Sequence, residues 1–278
     1  MRQSGFPVTL TTDFGYNDEY VGVLKGVILS INKGIPIVDL THGIESQDIS
    51  QASDIIWNNF RYFPDGTVHL CVVDPEVGMS RRIIVLQLET HYFVGPDNGI
   101  FTHLLTSPET VEAYVVENRK LFLREISNTF HGRDIMAPIA ARLASGMSIT
   151  NVGSRIPRES CVIIGVKEPV LQRNGIHGEV INIDKFGNIR TNITRVYLDR
   201  IELGEKPRIT LKSYEIELVH GSYGDIHDNL PAAIINSNGA LEVCVNRGNA
   251  AKLLKVEKGE RVFVRGNNRG WHEAEVLA

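Results

Sequence analysis

Several carboxylates stand immediately downstream of short apolar runs: Thr12-Asp13-Phe14-Gly15, Asp39-Leu40-Thr41-His42, Asp74-Pro75-Glu76 and Gly95-Pro96-Asp97-Asn98. In open α/β sheets the carboxyl ends of the strands form the ligand crevice, so Asp13, Asp74 and Asp97 are candidates to line one site. The competing reading is local, because an Asp after a strand also caps a following helix or starts a turn. A second cluster runs from Asn128 through His131 to Arg133 and Asp134, and places an imidazole, a guanidinium and a carboxylate just before a helical stretch. Polar loops of this kind carry function more often than helix interiors do. Arg81 and Arg82 follow Gly78-Met79-Ser80 ahead of an apolar run. The pair suits either a solvated strand edge or an anion clamp. Asp13, Asp39, His42 and Asp74 would in principle converge on a hard or borderline cation, which keeps a metal-dependent phosphohydrolase as an outside reading.

Further along, Asp184-Lys185-Phe186-Gly187-Asn188, Asn236-Ser237-Asn238-Gly239 and Val245-Asn246-Arg247-Gly248-Asn249-Ala250 flank apolar runs. Asn-Gly and Ser-Asn-Gly are ordinary hairpin signals. Carboxamides also read a purine edge, and Phe186 offers a stacking face.

The elements that must position these groups follow from periodicity. Apolar β-branched runs at 8–12, 36–40, 67–73, 83–87 and 92–94 alternate with helical stretches at 19–31, 47–60 and 134–145. In the first helix Tyr20, Val23, Leu24, Val27, Ile28 and Ile31 form one apolar face. Alternation of this kind predicts an α/β domain with a mostly parallel sheet. Pro138 falls in the first turn or so of its helix, where proline is tolerated. The text changes after about residue 150, and short runs at 178–183, 208–211, 215–219, 232–236, 241–245 and 261–265 predict a smaller all-β domain, a small barrel or a sandwich. The expected division is an N-terminal domain over 1–160, a linker over 161–172 and a C-terminal domain over 173–278.

Composition excludes other classes. Lys+Arg 29 against Asp+Glu 33 leaves a net charge of -4, so no domain-scale basic field exists to hold nucleic acid or an anionic membrane. No run approaches the ~18 apolar residues of a membrane span, and the opening Met1-Arg2-Gln3-Ser4-Gly5 leads into no apolar signal core. A cytoplasmic chain is expected. The 3 cysteines, Cys71, Cys161 and Cys244, form no close pair and read as buried thiols. G-x-G-x-x-G, Gly-Lys and G-x-S-x-G motifs are absent, and His272-Glu273 lacks the second His of a zincin helix. The 9 histidines include no pair at the usual metal spacing.

Taken together, Thr12-Asp13-Phe14-Gly15, Asp39-Leu40-Thr41-His42-Gly43-Ile44, Val73-Asp74-Pro75-Glu76-Val77-Gly78, Gly95-Pro96-Asp97-Asn98-Gly99, Phe130-His131-Gly132-Arg133-Asp134, Asp184-Lys185-Phe186-Gly187-Asn188 and Asn236-Ser237-Asn238-Gly239 resemble the S-adenosylmethionine hydroxide adenosyltransferases, or SAM hydrolases. The fluorinase and chlorinase are their halogenating relatives. The resemblance implies a two-domain subunit whose C-terminal domain is a β-barrel, a homotrimer with active sites between neighbouring subunits, S-adenosylmethionine as substrate, and neither cofactor nor metal. It carries a catalytic Asp-Arg-His triad onto Asp74, Arg81 and His131. In the halogenating relatives the Asp position is aromatic and the His is not kept, so this chain is expected to use hydroxide rather than halide.

The resemblance further implies Asp13 on the ribose hydroxyls, Asp184 and Ser237 on the methionine amino and carboxylate ends, and Phe186, Asn188 and the strand end at Val245 around adenine. Asn238 stands where the halogenases carry Arg. Glu242 either compensates there or is a surface strand residue. Water has a pKa near ~15.7, so attack on C5′ needs partial deprotonation and alignment with the C5′–S axis. The expectation is that Asp74 and His131 hydrogen-bond the water and accept its proton while Arg81 orients Asp74. Hydroxide attack on a sulfonium annihilates charge and gains from a dry pocket. A non-catalytic S-adenosylmethionine or adenosine sensor would not need the triad.

Overall fold

The computed structural model describes residues 5–205, 207–218, 221–227 and 229–268; Val219, the end of one expected strand, and the His272-Glu273 pair lie outside them. The chain divides between Gly165 and Val166 into two compact units.

The first unit is built on a seven-stranded sheet whose strands are β1 (Val8–Thr12), β2 (Ile37–Thr41), β3 (Val68–Val72), β4 (Ile83–Leu88), β5 (His91–Pro96), β6 (Val111–Val115) and β7 (Arg155–Ile156), in the spatial order β2-β1-β3-β5-β4-β6-β7. Helices α1 (Tyr20–Ile31) and α4 (Ala137–Ala144) pack on one face, where Leu24, Ile28, Ile139 and Leu143 meet Val8, Leu10, Leu70 and Val72. Helices α2 (Ile49–Asn59) and α3 (Thr102–Thr106) supply the opposite core, where Ile56 and Leu104 meet Cys71, Leu86 and Phe93. Strands β1 and β3 are buried along their whole length, which explains their unbroken apolar text.

The sheet is mixed rather than mostly parallel. Pairings β1–β2, β1–β3 and β3–β5 are parallel, whereas β4–β5, β4–β6 and β6–β7 are antiparallel. Only Glu89 and Thr90 separate β4 from β5, too few for a crossover, and Glu89 takes the left-handed conformation at φ 54 to close the hairpin. A non-glycine turn of this kind carries no Gly or Asn signal. The helix expected over 134–145 begins as a π-helical segment, Gly132–Met136, before α4. Pro138 has no N–H for the Asp134 carbonyl, which accepts the Leu123 N–H at 2.9 Å instead.

The second unit is an eight-stranded antiparallel sheet rolled into a nearly closed barrel. Its strands are β8 (Val170–Gln172), β9 (Gly175–Ile183), β10 (Ile189–Thr194), β12 (Arg208–Leu211), β13 (Tyr214–Glu217), β14 (Pro231–Ile235), β15 (Ala240–Val245) and β16 (Arg261–Arg265). Between β10 and β12 come α5 (Arg195–Leu198) and β11 (Ile201–Glu202), which pairs with β17 (Asn267–Asn268), and α6 (Ala250–Leu254) follows β15. A single bridge from Leu218 to Ala233 joins the two ends of the sheet, beside β13 and β14. Ile189, Thr191 and Ile193 of β10 are buried in alternation, with Leu241 and Val243 of β15 in the same core. The outer face of β15 is also buried, by Ile226, Ala232 and Ile234 around Cys244.

All three cysteines are free and buried. Burial pushes the Cys161 thiol up to about 11 and that of Cys244 to about 12, so neither is a nucleophile at neutral pH. No helix of the described residues is long and apolar enough to cross a membrane.

A polar chain crosses the first core: Thr9 Oγ1 lies 2.8 Å from His69 Nδ1, and His69 Nε2 lies 3.2 Å from His91 Nδ1. His69 is stacked on Phe93 at 4.9 Å, and burial, followed by the neighbouring His91, pulls its pKa down from 6.5 to about 3. Below pH 6.5 the unfolded chain therefore binds a proton that the native His69 refuses. The stability contribution is fully present above 6.5 and is lost as pH falls toward 3, by about 2 kcal/mol already at pH 5. Urea unfolding at pH 7 and pH 5 should show this loss, and His69→Gln should flatten it; an unchanged slope in that variant refutes the assignment.

Candidate active site

The first unit contains a cavity of roughly 430 Å³ whose lining includes Asp13, Phe14, Tyr20, Gln47, Asp74, Phe130 and His131. Its floor is the switch point of the sheet. From β1 the chain runs to β2 on one side and then to β3 on the other, and the crevice opens where these parallel strands end. Thr12 is in register with Val72, so the loops carrying Asp13 and Asp74 leave the sheet side by side. Asp13 Oδ2 accepts the Gln47 N–H at 2.9 Å, and Gln47 stands at φ 66. Phe14, Tyr20 and Phe130 meet at ring distances of 5.3–5.9 Å and form an aromatic wall.

Asp74, Arg81 and His131 are joined by hydrogen bonds. Arg81 Nε donates to both oxygens of Asp74 at 2.8 and 2.9 Å, and Nη2 contacts Asp74 Oδ2. The same Nη2 lies 3.0 Å from His131 Nδ1. The side chains of Arg81 and Asp74 are only 3% and 5% exposed, so the pair is shielded from solvent. A guanidinium only donates, so His131 Nδ1 is the acceptor and the neutral ring carries its hydrogen on Nε2. Burial, and then the Arg81 charge, lower the His131 pKa below 6.5, against the opposing pull of Asp74 and Asp134. A glycine makes this meeting possible. Gly78 stands at φ +81, and a Cβ there would come within 2.2 Å of the Asn128 carbonyl oxygen, so the loop bearing Asp74 and Arg81 could not otherwise lie against the one bearing His131.

Other groups singled out from sequence have different work. Asp97 is buried, takes Arg82 Nε at 2.8 Å on one oxygen and the Val162 N–H at 2.8 Å on the other, and does not line this cavity. Arg81 and Arg82 thus serve two different carboxylates. Asp39 takes Lys25 Nζ at 2.7 Å and has His42 Nε2 at 3.2 Å. Desolvation would raise its pKa, but the hydrogen bond from Lys25 and the nearby His42 outweigh that and lower it. Among the described residues no group of three or more His, Cys, Asp and Glu side chains could hold a metal ion, so Asp13, Asp39, His42 and Asp74 do not converge as a cation site. Asp134 is buried and held by Arg133 and Ser127.

The second unit has its own cavity, of roughly 480 Å³, lined by Asp184, Phe186, Asn188, Tyr223, Val245, Asn246, Arg247 and Gly248. Asp184 is the hub of the β9–β10 turn. Its Oδ1 accepts the Phe186 and Asn188 N–H groups, and its Oδ2 accepts Asn188 Nδ2, all at 2.9 Å. Turn chemistry and a cavity wall are thus the same carboxylate. Phe186 is 63% exposed at the rim, with Lys185 Nζ 4.8 Å from its ring centroid. Gly187 stands at φ +87 with Asn249 so close that a Cβ would lie 2.1 Å from its side chain.

Ser237 and Asn238 are exposed at the tip of the β14–β15 hairpin and do not line this cavity. Glu242 is not a surface residue: it is 7% exposed, with Tyr223 Oη donating to Oε1 at 2.6 Å and Asn236 Nδ2 to Oε2 at 3.0 Å. Burial, and then the bond to Glu242, push the Tyr223 phenol up, so it stays a donor. Tyr223, Gln47 and the aromatic wall escaped sequence reading. The Ser222-x-x-Asp225 capping box marks only the local turn around Tyr223, and Gln47 is placed by a backbone conformation its residue type does not advertise.

Two family models match the chain in order: the SAM hydroxide adenosyltransferase N-terminal domain over residues 8–153 and the C-terminal domain over residues 178–263. The chain is 35% identical over 263 residues to the (R)-S-adenosyl-L-methionine hydrolase of Thermus thermophilus, covering 91% of this chain and 97% of that one. It is 34% identical to the enzyme of the same name from Methanocaldococcus jannaschii, covering 90% and 92%, and 28% identical to the fluorinase of an Actinoplanes species, covering 95% and 99%. The crystal structure of an uncharacterized conserved protein from Thermotoga maritima superposes with a TM-score of 0.86 at 35% identity, covering 92% of this chain and 99% of that one. With both units matched in order and with relatives this similar over nearly their full length, the chain belongs to the SAM hydroxide adenosyltransferase family.

Proposed function

We propose that this protein hydrolyses S-adenosyl-L-methionine to adenosine and L-methionine by attack of water on C5′, acting on the (R) sulfonium epimer that the names of its hydrolase relatives specify. The observation that carries this reading is the Asp74–Arg81–His131 network, whose Asp74 and His131 line the same cavity as Asp13. The N-terminal unit supplies the triad and the ribose ligand Asp13. The C-terminal unit supplies Phe186, Asn188 and Val245 for adenine and Asp184, Ser237, Asn238 and Glu242 for the methionine end. The working assembly is a cytoplasmic homotrimer with active sites between neighbouring subunits.

Each residue has a separable role. Arg81 orients the Asp74 carboxylate through its hydrogen bonds while leaving lone pairs on the oxygens, so Asp74 receives the water proton. His131 takes a different part from the proton acceptor expected from sequence. Its Nδ1 is occupied by Arg81 and its Nε2 carries hydrogen, so the neutral ring donates a hydrogen bond that orients the nucleophile. As the oxygen–C5′ bond forms, the C5′–S bond breaks and its electron pair returns to sulfur, which leaves as the neutral thioether of methionine. The water proton passes to Asp74 and then to solvent, and the oxygen becomes the 5′-hydroxyl of adenosine. The aromatic wall keeps this charge-annihilating step away from bulk water.

Chromatography of the protein incubated with S-adenosylmethionine should show equimolar adenosine and methionine, unchanged by a chelator or by added chloride. A 5′-halo nucleoside would instead indicate halide transfer, and binding without turnover would indicate a sensor. Asp74→Ala should lower the rate of adenosine release by about 10²–10⁴-fold, the span of a general base, while calorimetric binding of substrate is retained. Equal loss of binding and turnover would remove Asp74 from the chemical step. Because the His131 pKa is held below 6.5, the acid limb of kcat/KM should be centred below 6.5, where His131 takes a proton and loses its contact with Arg81. An acid limb centred above 6.5 would contradict this arrangement.

A further inference from the structure

His42 has no part in the chemistry above and lines neither cavity, yet its side chain is shielded from solvent with polar groups at both ring nitrogens. Nδ1 lies 2.8 Å from Thr12 Oγ1, and Nε2 lies 3.2 Å from Asp39 Oδ1. Thr12 Oγ1 accepts the Phe14 N–H at 3.2 Å, so the hydroxyl hydrogen is left to donate to Nδ1. The ring hydrogen of neutral His42 is then on Nε2, on the side of the Asp39 carboxylate. Neither Nε2 nor Asp39 Oδ1 has an aligned hydrogen bond among the described residues, so their mutual attraction is what offsets the burial of each. The other oxygen of Asp39 takes Lys25 Nζ at 2.7 Å.

A polar chain thus runs from Lys25 on α1 through Asp39 on β2 and His42 just beyond it to Thr12, the last residue of β1. It ends where the backbone carries Asp13. The bond from the Phe14 N–H to Thr12 Oγ1 and a second from the Gly15 N–H to the His42 carbonyl, at 2.8 Å, fix the two peptides that follow Asp13. Gly15 stands at φ 67 and has nothing within 4 Å of where a Cβ would lie, so hydrogen bonding rather than packing holds its conformation. Asp13 Oδ2 accepts the Gln47 N–H, whereas Oδ1 accepts no hydrogen bond among the described residues. One oxygen anchors Asp13 to the protein, and the backbone over 12–15 decides where the other is presented.

We infer that His42 is a positioning residue for Asp13: through Thr12 and the Gly15 N–H it fixes the turn that presents the free Asp13 oxygen, and the Asp39–Lys25 pair holds the imidazole in the tautomer that does so. The inference rests on the functional reading above, in which Asp13 takes the ribose hydroxyls. His42 touches no ligand and acts only through that turn. Removing its nitrogens therefore weakens the contact that Asp13 makes and leaves contacts to the rest of a nucleoside unchanged.

The test compares calorimetric binding of adenosine and of 2′,3′-dideoxyadenosine, which keeps the base and the sugar ring but lacks both hydroxyls. The wild-type protein should prefer adenosine by at least about tenfold, the worth of a hydrogen bond to a charged group, and Asp13→Ala should have no preference. His42→Phe, a ring without nitrogens, should lose most of the preference by weakening adenosine and sparing the dideoxy ligand. His42→Asn, whose amide can still meet Thr12 Oγ1, should recover part of it. Added to Asp13→Ala, His42→Phe should change adenosine binding no further. A His42→Phe protein that keeps the wild-type preference, or that weakens both ligands equally, overturns the inference. Thr12→Val removes the hydroxyl that links His42 to the turn; it should lose the preference in the same way, and it decides the matter if His42→Phe fails to fold. A wild-type protein without a preference would defeat the ribose assignment of Asp13 and the inference with it. Adenosine release from S-adenosylmethionine is followed in parallel: its absence would defeat the hydrolysis reading, while the binding comparison still decides His42.

Discussion

A guanidinium with its carboxylate partner, both almost removed from solvent, is the contact around which the first unit is arranged. Taking Arg81 and Asp74 out of water costs several kcal/mol per ion, and the loss is offset only where geometry is tight and the remaining hydrogen-bonding capacity is used. Asp74 meets two nitrogens of Arg81, and the remaining donor capacity of that guanidinium reaches His131. Removing Asp74 or Arg81 would leave the other as a buried unpaired charge. The network therefore sets demands on the loops that carry it, down to the absence of a side chain at Gly78.

Those loops are presented by a sheet whose order reverses at β1. Because β2 and β3 flank β1 in parallel, Asp13 and Asp74 emerge from neighbouring strand ends, and strand pairing fixes their spacing. Antiparallel strands β4, β6 and β7 extend the other edge of the sheet and bring Arg81, just before β4, back toward the same crevice. The π-helical segment that begins at Gly132 sets the backbone immediately after His131, where an ordinary helical turn would lack a donor at Pro138.

The barrel uses a different logic. One face of each strand fills the core, so groups for a ligand must come from the outward face or from turns. Asp184, Asn188 and Glu242 all lie on outward positions of β9, β10 and β15 or their turns, and the alternation that buries Ile189 and Val243 assigns them there. Polar residues on that face are covered in part by Tyr223 and by the patch around Cys244. Glu242 thereby becomes buried although it stands in an exposed register.

Sequence by itself determined the α/β and all-β halves, because apolar period is a local property that survives without knowledge of contacts. It also offered Asp13, Asp74, Arg81, His131 and Asp184 as candidates, since motif order and turn chemistry are written in residue type. The tertiary structure alone decided that Arg81 serves Asp74 and His131 while Arg82 serves Asp97, that β4 runs antiparallel, and that Glu242 is buried. It alone decided which nitrogen of His131 meets Arg81. Each of these depends on pairing between segments distant in the chain, and the identity of a residue does not state which partner will reach it.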